Sequence, residues 1–344
     1  MDTATEQALP RMLAGYLPAR ILHAAAELGV ADAIGDGPAD AAEVARRTGT
    51  DPDALRRLLR ALAGLGLTEQ LDADRFALTA LGRGLRSGAD GSFRDDVLLS
   101  VTAELWQAWG ALGRVIRTGE PWRDAGTGLT ARESALRDPV LAPKYRAAQA
   151  RATAEFAAGL VRVCDFTRFA TIADLGGDDG ALLAAVLTAA PGARGLLADL
   201  PVALDGARAA LESAGVADRC EVVAADRAES VPPGADAYLL NHLVRDLADG
   251  AAVALLGRCR AAMGPGARLL VLETVLPAVL GPADSVTYGL TDLNNLVYTG
   301  GRERTAAEYR GLLEAAGFAH VSTAVVPAAE GLPDYNAIEA EPAR

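Results

Sequence analysis

Apolar residues recur at helical spacing through the first third of the chain. Between residues 9 and 34 the spacing predicts one or two amphipathic helices. A second pair is expected at 41–47 and 51–62, with the turn Thr48-Gly49-Thr50 between them and an N-cap at Thr50 or Asp51. Short strand-like stretches at 67–70 and 75–79 then predict a hairpin. A helix-turn-helix followed by a hairpin is typical of a winged-helix unit.

The apolar pattern changes further along the chain. Residues 92–163 are again helical in period, and a long helix is expected from about 138 to 163. Buried strands are predicted after it at 172–175, 194–201, 220–226, 237–242 and 267–273, with helices between them. This alternation favours a mostly parallel α/β sheet covered by helices on both faces, with ligands at the carboxyl ends of the strands. We therefore expect two domains, residues 1–165 and 166–344.

Composition narrows the classes of function. The chain has 344 residues, 51% of them hydrophobic and 23% charged, which is typical of a globular protein. A net charge of −12 argues against broad binding to nucleic acid or to anionic membranes. The three cysteines, Cys164, Cys220 and Cys259, lack metal-binding or disulfide spacing, so no metal site is predicted. Because no apolar run is long enough for a bilayer and no signal peptide is evident, we expect a cytoplasmic protein.

The winged-helix pattern also suggests a different class of function. The second helix of the pair carries Arg56, Arg57 and Arg60, which could contact phosphates in a DNA-binding regulator. The alternative is that these arginines form a solvated helix face. The acidic remainder of the chain and the glycine turn described next favour that alternative.

A glycine turn follows the first strand of the second half, in the stretch Asp174-Leu175-Gly176-Gly177-Asp178-Asp179-Gly180. Glycines let backbone N–H groups and a helix N-terminus come close to a ligand. The dinucleotide fingerprint fails here because Asp178 occupies a position that needs glycine. Asp199 and Asp226 follow the next two strands, where carboxylates suit ribose hydroxyls and an adenine edge. A nucleoside-containing cofactor is therefore indicated.

Five motifs then occur in an order that resembles one enzyme family. They are Asp174-Leu175-Gly176-Gly177, Ala198-Asp199-Leu200-Pro201, Glu273-Thr274-Val275-Leu276-Pro277, Asp292-Leu293-Asn294-Asn295-Leu296 and Gly300-Gly301-Arg302-Glu303-Arg304-Thr305. The order is similar to that of caffeate-type O-methyltransferases, which are class I S-adenosylmethionine-dependent enzymes, and particularly of their bacterial natural-product branch. The resemblance extends over nearly the whole chain. It implies an α/β fold with a seven-stranded Rossmann-like methyltransferase sheet, and an N-terminal helical winged-helix domain that dimerises and closes over the substrate.

The resemblance also implies a cofactor, partners and site residues. The cofactor would be S-adenosylmethionine or S-adenosylhomocysteine, and the partners a second copy of the chain and an aromatic or polyketide-type small molecule. Cofactor-binding residues would be Asp174, Gly176, Gly177, Asp199, Leu200, Asp226, Arg227 and Asn241. Substrate residues would be Trp106, His242, Asn294 and Asn295. Asn295 stands where relatives commonly have Met, so the substrate pocket is expected to be more polar than theirs. Asn241 stands where the family often has Lys or Arg, and Asp178 stands where many relatives have glycine.

The largest departure is at the catalytic base. Family members usually carry a histidine where this chain has Arg245, with Asp246 next to it. A guanidinium stays protonated at working pH and cannot act as a general base. Arg245 would then stabilise an acidic nucleophile, or Glu273 or Glu303 would accept the proton if burial raises its pKa.

Other readings of the same substitution stay open. His242 lies one turn earlier and could substitute as the base, and an amine acceptor would need less proton removal. Loss of methyl transfer in favour of decarboxylation, hydroxylation or rearrangement is a further alternative. Arg245 could also be a surface partner of Asp246 or Asp249 with no catalytic role.

Overall fold

The protein is described here by a computed structural model that covers residues 3–89, 91–201, 203–204, 206–226, 229–328 and 332–343. Its internal contacts divide the chain into two compact units. One comprises Met1–Gln107 with Ala135–Ala148, and the other Ala108–Ser134 with Gln149–Arg344. The sequence predicted a single boundary between residues 165 and 166. The contact division is discontinuous, because Ala108–Ser134 groups with the second unit and Ala135–Ala148 with the first.

The N-terminal part of the chain is helical with a small sheet. Its helices are α1 (Thr3–Leu13), α2 (Tyr16–Glu27), α3 (Val30–Ile34), α4 (Ala41–Thr48), α5 (Pro52–Gly64), α6 (Ala80–Arg83), α7 (Arg94–Ser100) and α8 (Ala103–Gly110). The strands β1 (Ala39–Asp40), β2 (Thr68–Gln70) and β3 (Arg75–Leu78) form an antiparallel sheet in the order β1-β3-β2. The predicted helix-turn-helix and hairpin are therefore both present.

Capping and ion pairs explain this local structure. Asp51 caps α5, since its side chain accepts a hydrogen bond from the Ala54 N–H at 2.8 Å, and Pro52 follows in the first turn. Arg56, which the sequence offered as a phosphate contact, is paired at 2.7 Å with both Asp53 and Asp74. The charge of Arg56 is thus already engaged by two carboxylates of the same unit.

The remaining helices and strands build a large α/β unit. The helices are α9 (Leu112–Thr118), α10 (Ala131–Arg137), α11 (Leu141–Val163), α12 (Ala181–Ala189), α13 (Ala207–Ser213), α14 (Asp249–Ala262), α15 (Pro282–Asp284), α16 (Leu290–Tyr298) and α17 (Ala306–Ala315). A π-helical turn, Ser285–Gly289, joins α15 to α16, and 3-10 turns lie at Ala217–Arg219 and Val244–Asp246. The strands are β4 (Thr171–Leu175), β5 (Arg194–Asp199), β6 (Cys220–Ala224), β7 (Ala237–Asn241), β8 (Arg268–Leu276), β9 (Arg304–Thr305), β10 (Phe318–Val326) and β11 (Tyr335–Pro342).

Seven of these strands form one continuous sheet in the order β6-β5-β4-β7-β8-β11-β10, and the short β9 pairs with the end of β8. Strands β4 to β8 are parallel to their neighbours, whereas β11 and β10 are antiparallel. Buried apolar residues from both faces form two cores against the flanking helices. The structure therefore confirms the predicted seven-stranded sheet with helices on both sides.

Strand ends differ from the predictions where the pairing partners lie far away in sequence. β8 continues past Glu273 to Leu276, because β11 pairs with it as far as Thr274 and β9 pairs with its last two residues. Glu273 is therefore inside a strand. β6 ends at Ala224, two residues before Asp226, and β7 ends one residue before His242. Within the residues that the structure covers, no helix has the length and apolarity needed to span a membrane.

Candidate active site

The glycine turn after β4 is closely packed against the neighbouring strands. Gly176 has a φ of 71°, and its N–H donates to the Ala198 carbonyl at 2.7 Å. A Cβ on Gly177 would lie 2.4 Å from Leu197 Cδ1 and 2.6 Å from Asp174 Oδ2, so only glycine fits there. The turn ends at Gly180, the N-cap of α12. The predicted strand, turn and helix start are all observed.

Asp199 connects this turn to the end of β5. Its Oδ2 accepts a hydrogen bond from the Asp178 N–H at 3.1 Å, and its Oδ1 accepts one from the Leu200 N–H at 2.7 Å. Asp178 itself has a positive φ of 50°, which is uncommon for a residue other than glycine. The Ala225 N–H donates to the Asp199 carbonyl, which places the loop carrying the exposed Asp226 beside the turn. Arg227 lies outside the described residues.

Asp174 and Asn241 present buried oxygen atoms at the same edge of the sheet. Both carboxyl oxygens of Asp174 and the Oδ1 of Asn241 have no hydrogen-bond partner among the described residues. Burial raises the pKa of Asp174 to about 7, with Asp199 and Asp179 adding to the effect. A cationic donor would satisfy this carboxyl group and stabilise its charged form.

Arg245 lies in the 3-10 turn directly after β7, between two buried carboxyl groups. Its Nη1 donates to Glu303 Oε1 at 3.3 Å, and Asn295 Nδ2 donates to the same oxygen at 2.7 Å. On the other side, Glu273 Oε1 accepts from the backbone N–H of Val244 at 2.8 Å and of Arg245 at 3.2 Å. The geometry makes Arg245 a member of a buried charge cluster rather than a surface residue.

The other two acids near Arg245 have different partners. Asp246 accepts from Arg132 Nη1 at 2.7 Å, and Asp249 accepts from Arg304 Nη2 at 2.7 Å. The carboxylate bonded to the Arg245 guanidinium is therefore that of Glu303.

Burial and charge set the protonation states of this cluster. Burial raises the pKa of Glu273 to about 8, an effect that Arg245 opposes and Glu303 reinforces. Burial likewise raises the pKa of Glu303, against the opposing charge of Arg245. Burial by itself lowers the pKa of Arg245, but Glu273 and Glu303 outweigh it and raise that pKa on balance. Arg245 therefore stays charged, whereas the two glutamates titrate closer to neutral pH than ordinary carboxyl groups.

His242 lies between Asn241 and the Arg245 turn. Its φ is 53°, its N–H donates to the Leu272 carbonyl at 3.1 Å, and its ring meets Tyr335 edge-on with centroids 4.9 Å apart. The Nδ1 atom is buried and lies 4.0 Å from Glu273 Oε2. Burial holds the pKa of His242 well below 6.5, and the positive charges of Arg245 and Arg132 lower it further. The imidazole is accordingly neutral at physiological pH.

Sequence reasoning missed two residues that hold this cluster in place. Arg304 is only 1% exposed, and its guanidinium donates to the Val244 carbonyl at 2.8 Å, to the Leu247 carbonyl at 2.7 Å and to Asp249. Asp292 accepts the Glu303 N–H at 2.7 Å. Both residues lie in motifs that carry the family resemblance, so the sequence marked these segments as important. The motifs did not show that the two side chains form hydrogen bonds with backbone groups of the site.

Most of the predicted site residues of the second unit come together at the carboxyl edge of its sheet, whereas Trp106 belongs to the first unit. Trp106 lies in the first unit, where its ring is 6.3 Å from that of Tyr16 and 5.2 Å from the Arg20 guanidinium. Asn294 is half-buried on α16 beside Asn295. The substrate roles of Trp106 and Asn294 stay predictions.

Family models match both parts of the chain. An O-methyltransferase dimerisation domain matches residues 11–87, and an O-methyltransferase domain matches residues 109–319. The chain belongs to the O-methyltransferase family. The enzymes of this family transfer methyl groups from S-adenosylmethionine, as the sequence predicted.

Relatives extend over nearly the full length of this family member. It is 36% identical to the mitomycin biosynthesis 6-O-methyltransferase of Streptomyces lavendulae, over 91% of this chain and 89% of that protein. It is 38% identical to the 8-amino-8-demethylriboflavin N,N-dimethyltransferase of Streptomyces davaonensis, over 87% and 86%. The crystal structure of the O-methyltransferase NcsB1 from neocarzinostatin biosynthesis, with S-adenosyl-L-homocysteine and 1,4-dihydroxy-2-naphthoic acid, superposes with a TM-score of 0.82. That comparison covers 96% of this chain and 98% of NcsB1, at 30% identity.

The residues at the glycine turn fit the family's cofactor. S-adenosylmethionine carries an ammonium group and ribose hydroxyls, which suit the unpartnered carboxyl of Asp174 and the carboxylate of Asp199. Glycine at positions 176 and 177 lets the side chains of Leu243, Leu197 and Asp174 pack directly against the backbone of the turn. In the described ranges, no cluster of His, Cys, Asp and Glu is arranged to hold a metal ion.

Proposed function

We propose that this enzyme transfers the methyl group of S-adenosylmethionine to a hydroxyl of an aromatic or polyketide-type small molecule in secondary metabolism. One observation carries the proposal. Buried polar atoms without hydrogen-bond partners in the described structure lie around the carboxyl ends of β4 and β7, where a polar ligand would complete them. They are Asp174 Oδ1 and Oδ2, Asn241 Oδ1, Arg245 Nε and Glu303 Oε2.

The cofactor belongs at the β4 and β5 side of this edge. When bound, S-adenosylmethionine supplies an electrophilic methyl group on a sulfonium. The carboxyl of Asp174 and the amide of Asn241 hold polar parts of the cofactor, and Asp199 orients the turn around it through the Asp178 and Leu200 N–H groups. Leu200 and Asp226 border the same strand ends.

The substrate belongs beside Arg245. A fixed guanidinium next to a reacting hydroxyl stabilises the negative charge that develops on oxygen as its proton leaves. Glu303 and Asn295 keep Arg245 in position, because both bond at the same carboxylate oxygen. The aromatic compounds in the names of the relatives support an aromatic acceptor, with Asn294 and Trp106 as further substrate residues.

The first unit supports an assembly of two chains, and the cysteines support a cytoplasmic location. The matched dimerisation domain and the exposed apolar residues Met12 (75%) and Leu13 (80%) support a homodimer. The three cysteines are unpaired, which suits the cytoplasm. We assign no nucleic-acid or membrane partner, since the chain is acidic and Arg56 is engaged by Asp53 and Asp74.

Product mass spectrometry tests this function. The purified enzyme is incubated with a panel of hydroxylated polycyclic aromatics and S-adenosylmethionine, S-adenosylhomocysteine or no cofactor. We expect a product heavier by one methyl group only with S-adenosylmethionine, formed on oxygen. If only amine analogues were methylated, the acceptor atom would be nitrogen and not the proposed hydroxyl oxygen. Turnover with S-adenosylhomocysteine would overturn methyl transfer in favour of decarboxylation, hydroxylation or rearrangement.

A further inference from the structure

Two buried polar atoms face each other behind the Arg245 turn. His242 Nδ1 and Glu273 Oε2 lie 4.0 Å apart, and neither has a hydrogen-bond partner among the described residues. An unpaired buried polar atom is costly, and two of them at this separation need an approach of only about 1 Å to form a hydrogen bond. The other oxygen of Glu273 is fixed by the Val244 and Arg245 N–H groups, so Oε2 is held toward the imidazole.

The backbone at His242 gives an independent indication. Among the described residues, only Asp178 and His242 have a positive φ without being glycine. The positive φ of Asp178 belongs to the glycine turn, where the Asp178 N–H donates to Asp199. That of His242, at 53°, turns the residue out of β7 immediately before Leu243, whose side chain abuts Gly176 of the cofactor turn. Strained conformations of this kind cluster at functional sites.

We propose that His242, backed by Glu273, is the general base that takes the proton from the substrate hydroxyl. This inference rests on the proposed function. The side chain of His242 keeps 22% of its surface exposed while its Nδ1 is buried. A histidine oriented through Nδ1 by a carboxylate leaves Nε2 as the accepting atom.

The step balances with the components already named. The hydroxyl proton moves to His242 Nε2, while the oxygen gains the methyl group and the sulfonium becomes a thioether. The imidazolium then carries one positive charge, which the Glu273 carboxylate compensates through Nδ1–H. Arg245 keeps its own charge throughout and stabilises the oxygen.

The surroundings of the pair determine its pH dependence. Arg245 and Arg132 disfavour a charged imidazole, Glu273 favours it when ionised, and Tyr335 and Phe156 contact the ring edge-on. The raised pKa of Glu273 means that the ionised, proton-accepting form of the pair increases above neutral pH. The rate of methylation should therefore rise from neutral to mildly alkaline pH.

The variant His242→Asn tests the assignment, because asparagine tolerates positive φ and should preserve the turn. With a weakly acidic phenol we expect kcat to fall about 10²- to 10³-fold, while the affinity for S-adenosylhomocysteine changes less than about twofold. With a phenol already ionised at the assay pH, the variant should match the wild type. The matched control is His320→Asn on β10, which should leave both rates unchanged.

Nitrogen-15 NMR of labelled histidine gives a readout that does not depend on turnover. The chain has only three histidines, so subtraction of the His242→Asn spectrum identifies the signal. Above the pKa of Glu273 we expect the tautomer protonated at Nδ1. A proton on Nε2 instead, or equal kcat of variant and wild type on the weakly acidic phenol, would overturn the base assignment. A wild-type enzyme that methylates neither phenol would instead contradict the proposed function.

Discussion

The Arg245 guanidinium and the Glu303 carboxylate form a buried pair, with Nη1 and Oε1 3.3 Å apart and Asn295 bonded to the same oxygen. Glu273 adds a second carboxyl group behind the Arg245 backbone. The position to which the sequence resemblance assigns the proton acceptor thus carries a permanent positive charge. Because the charge is balanced by acids of the same chain, it can stabilise an anionic reacting group without being removed by a change of pH.

Removal of this charge should destabilise the protein most at alkaline pH. Arg245→Gln leaves Glu303 and Glu273 without their cation, and breaking a buried pair costs about 3–5 kcal/mol. The pKa values of both glutamates are already raised in the folded state and will rise further in the variant. The folded-state pKa of Glu273 is about 8 in the wild type and higher in the variant, so the loss of stability in the variant should grow as pH increases through about 8. Urea unfolding below and above that pH measures it.

Arg302→Gln is the matched control for that experiment. Arg302 lies in the same motif, is 48% exposed and pairs with the half-exposed Glu308. Its loss should cost less than about 1 kcal/mol at every pH. A deficit of Arg245→Gln that is independent of pH would show that the glutamates do not depend on Arg245.

Asn295 should contribute to the free energy of unfolding through its hydrogen bond to the Glu303 carboxylate. Asn295→Leu removes the Nδ2 donor, 2.7 Å from Glu303 Oε1, and a hydrogen bond to a charged acceptor is worth about 1.5–3 kcal/mol. The free energy of unfolding should fall by about that amount, and the pKa of Glu303 should rise. Asn294→Leu, one position earlier on α16, is the comparison and should cost less. Equal losses for the two variants would mean that the bond to Glu303 is not what matters.

The sequence predicted the sheet well because its buried parallel strands are continuous apolar runs between helices. It placed the end of β8 wrongly, since the residues that extend that strand past Glu273 belong to β9 and β11, which are distant in sequence. The site shows the same limit. Motif comparison identified Arg245 at the base position, but its bond to Glu303 joins residues 58 apart. The distance of 4.0 Å between His242 Nδ1 and Glu273 Oε2 likewise depends on the packing of two segments that are distant in sequence, so no local sequence pattern predicts it.

We expect Arg304 to stabilise the turn that carries Arg245, although Arg304 itself is buried away from the site surface. Arg304→Met removes a donor from the Val244 and Leu247 carbonyls, although the Val244 carbonyl keeps the Leu247 N–H at 3.2 Å, and the half-exposed Asp249 regains water. The loss of these two hydrogen bonds from a charged donor costs about 2–4 kcal/mol together. We expect a lower free energy of unfolding by that amount, and a lower kcat because the Arg245 turn loosens.

A control variant separates the contribution of the Arg304 bonds to the two carbonyls from that of its ion pair with Asp249. Asp249→Asn keeps both bonds to the carbonyls and weakens only the ion pair with the exposed carboxylate. It should retain most of the stability and activity, as judged by urea unfolding and steady-state rates. A loss in Asp249→Asn as large as that in Arg304→Met would place the stabilisation in the ion pair.

Asp174 should make cofactor affinity depend on pH. In the cofactor-free protein its pKa is raised from 3.8 to about 7, so the carboxyl is largely protonated below neutrality. An ammonium group binds the ionised form of Asp174 more tightly than the protonated form. The dissociation constant of S-adenosylhomocysteine should therefore increase about tenfold for each pH unit below 7 and stay constant above pH 7. Asp174→Asn should abolish this dependence and bind more weakly at pH 8. Isothermal titration calorimetry measures both effects.

The stability of the cofactor-free protein should decrease as pH rises, whereas its affinity for S-adenosylhomocysteine should increase. The two measurements therefore distinguish an effect of Asp174 on folding from an effect on binding. The raised folded-state pKa of Asp174 means that the wild type loses stability as pH increases from about 4 to 7. Asp174→Asn lacks this penalty, so its cofactor-free form should gain in melting temperature relative to wild type across that range. Asp178→Asn, a turn residue that keeps its backbone bond to Asp199, is the control and should show neither effect. An Asp174→Asn protein that binds S-adenosylhomocysteine like wild type at pH 8 would remove Asp174 from the cofactor site.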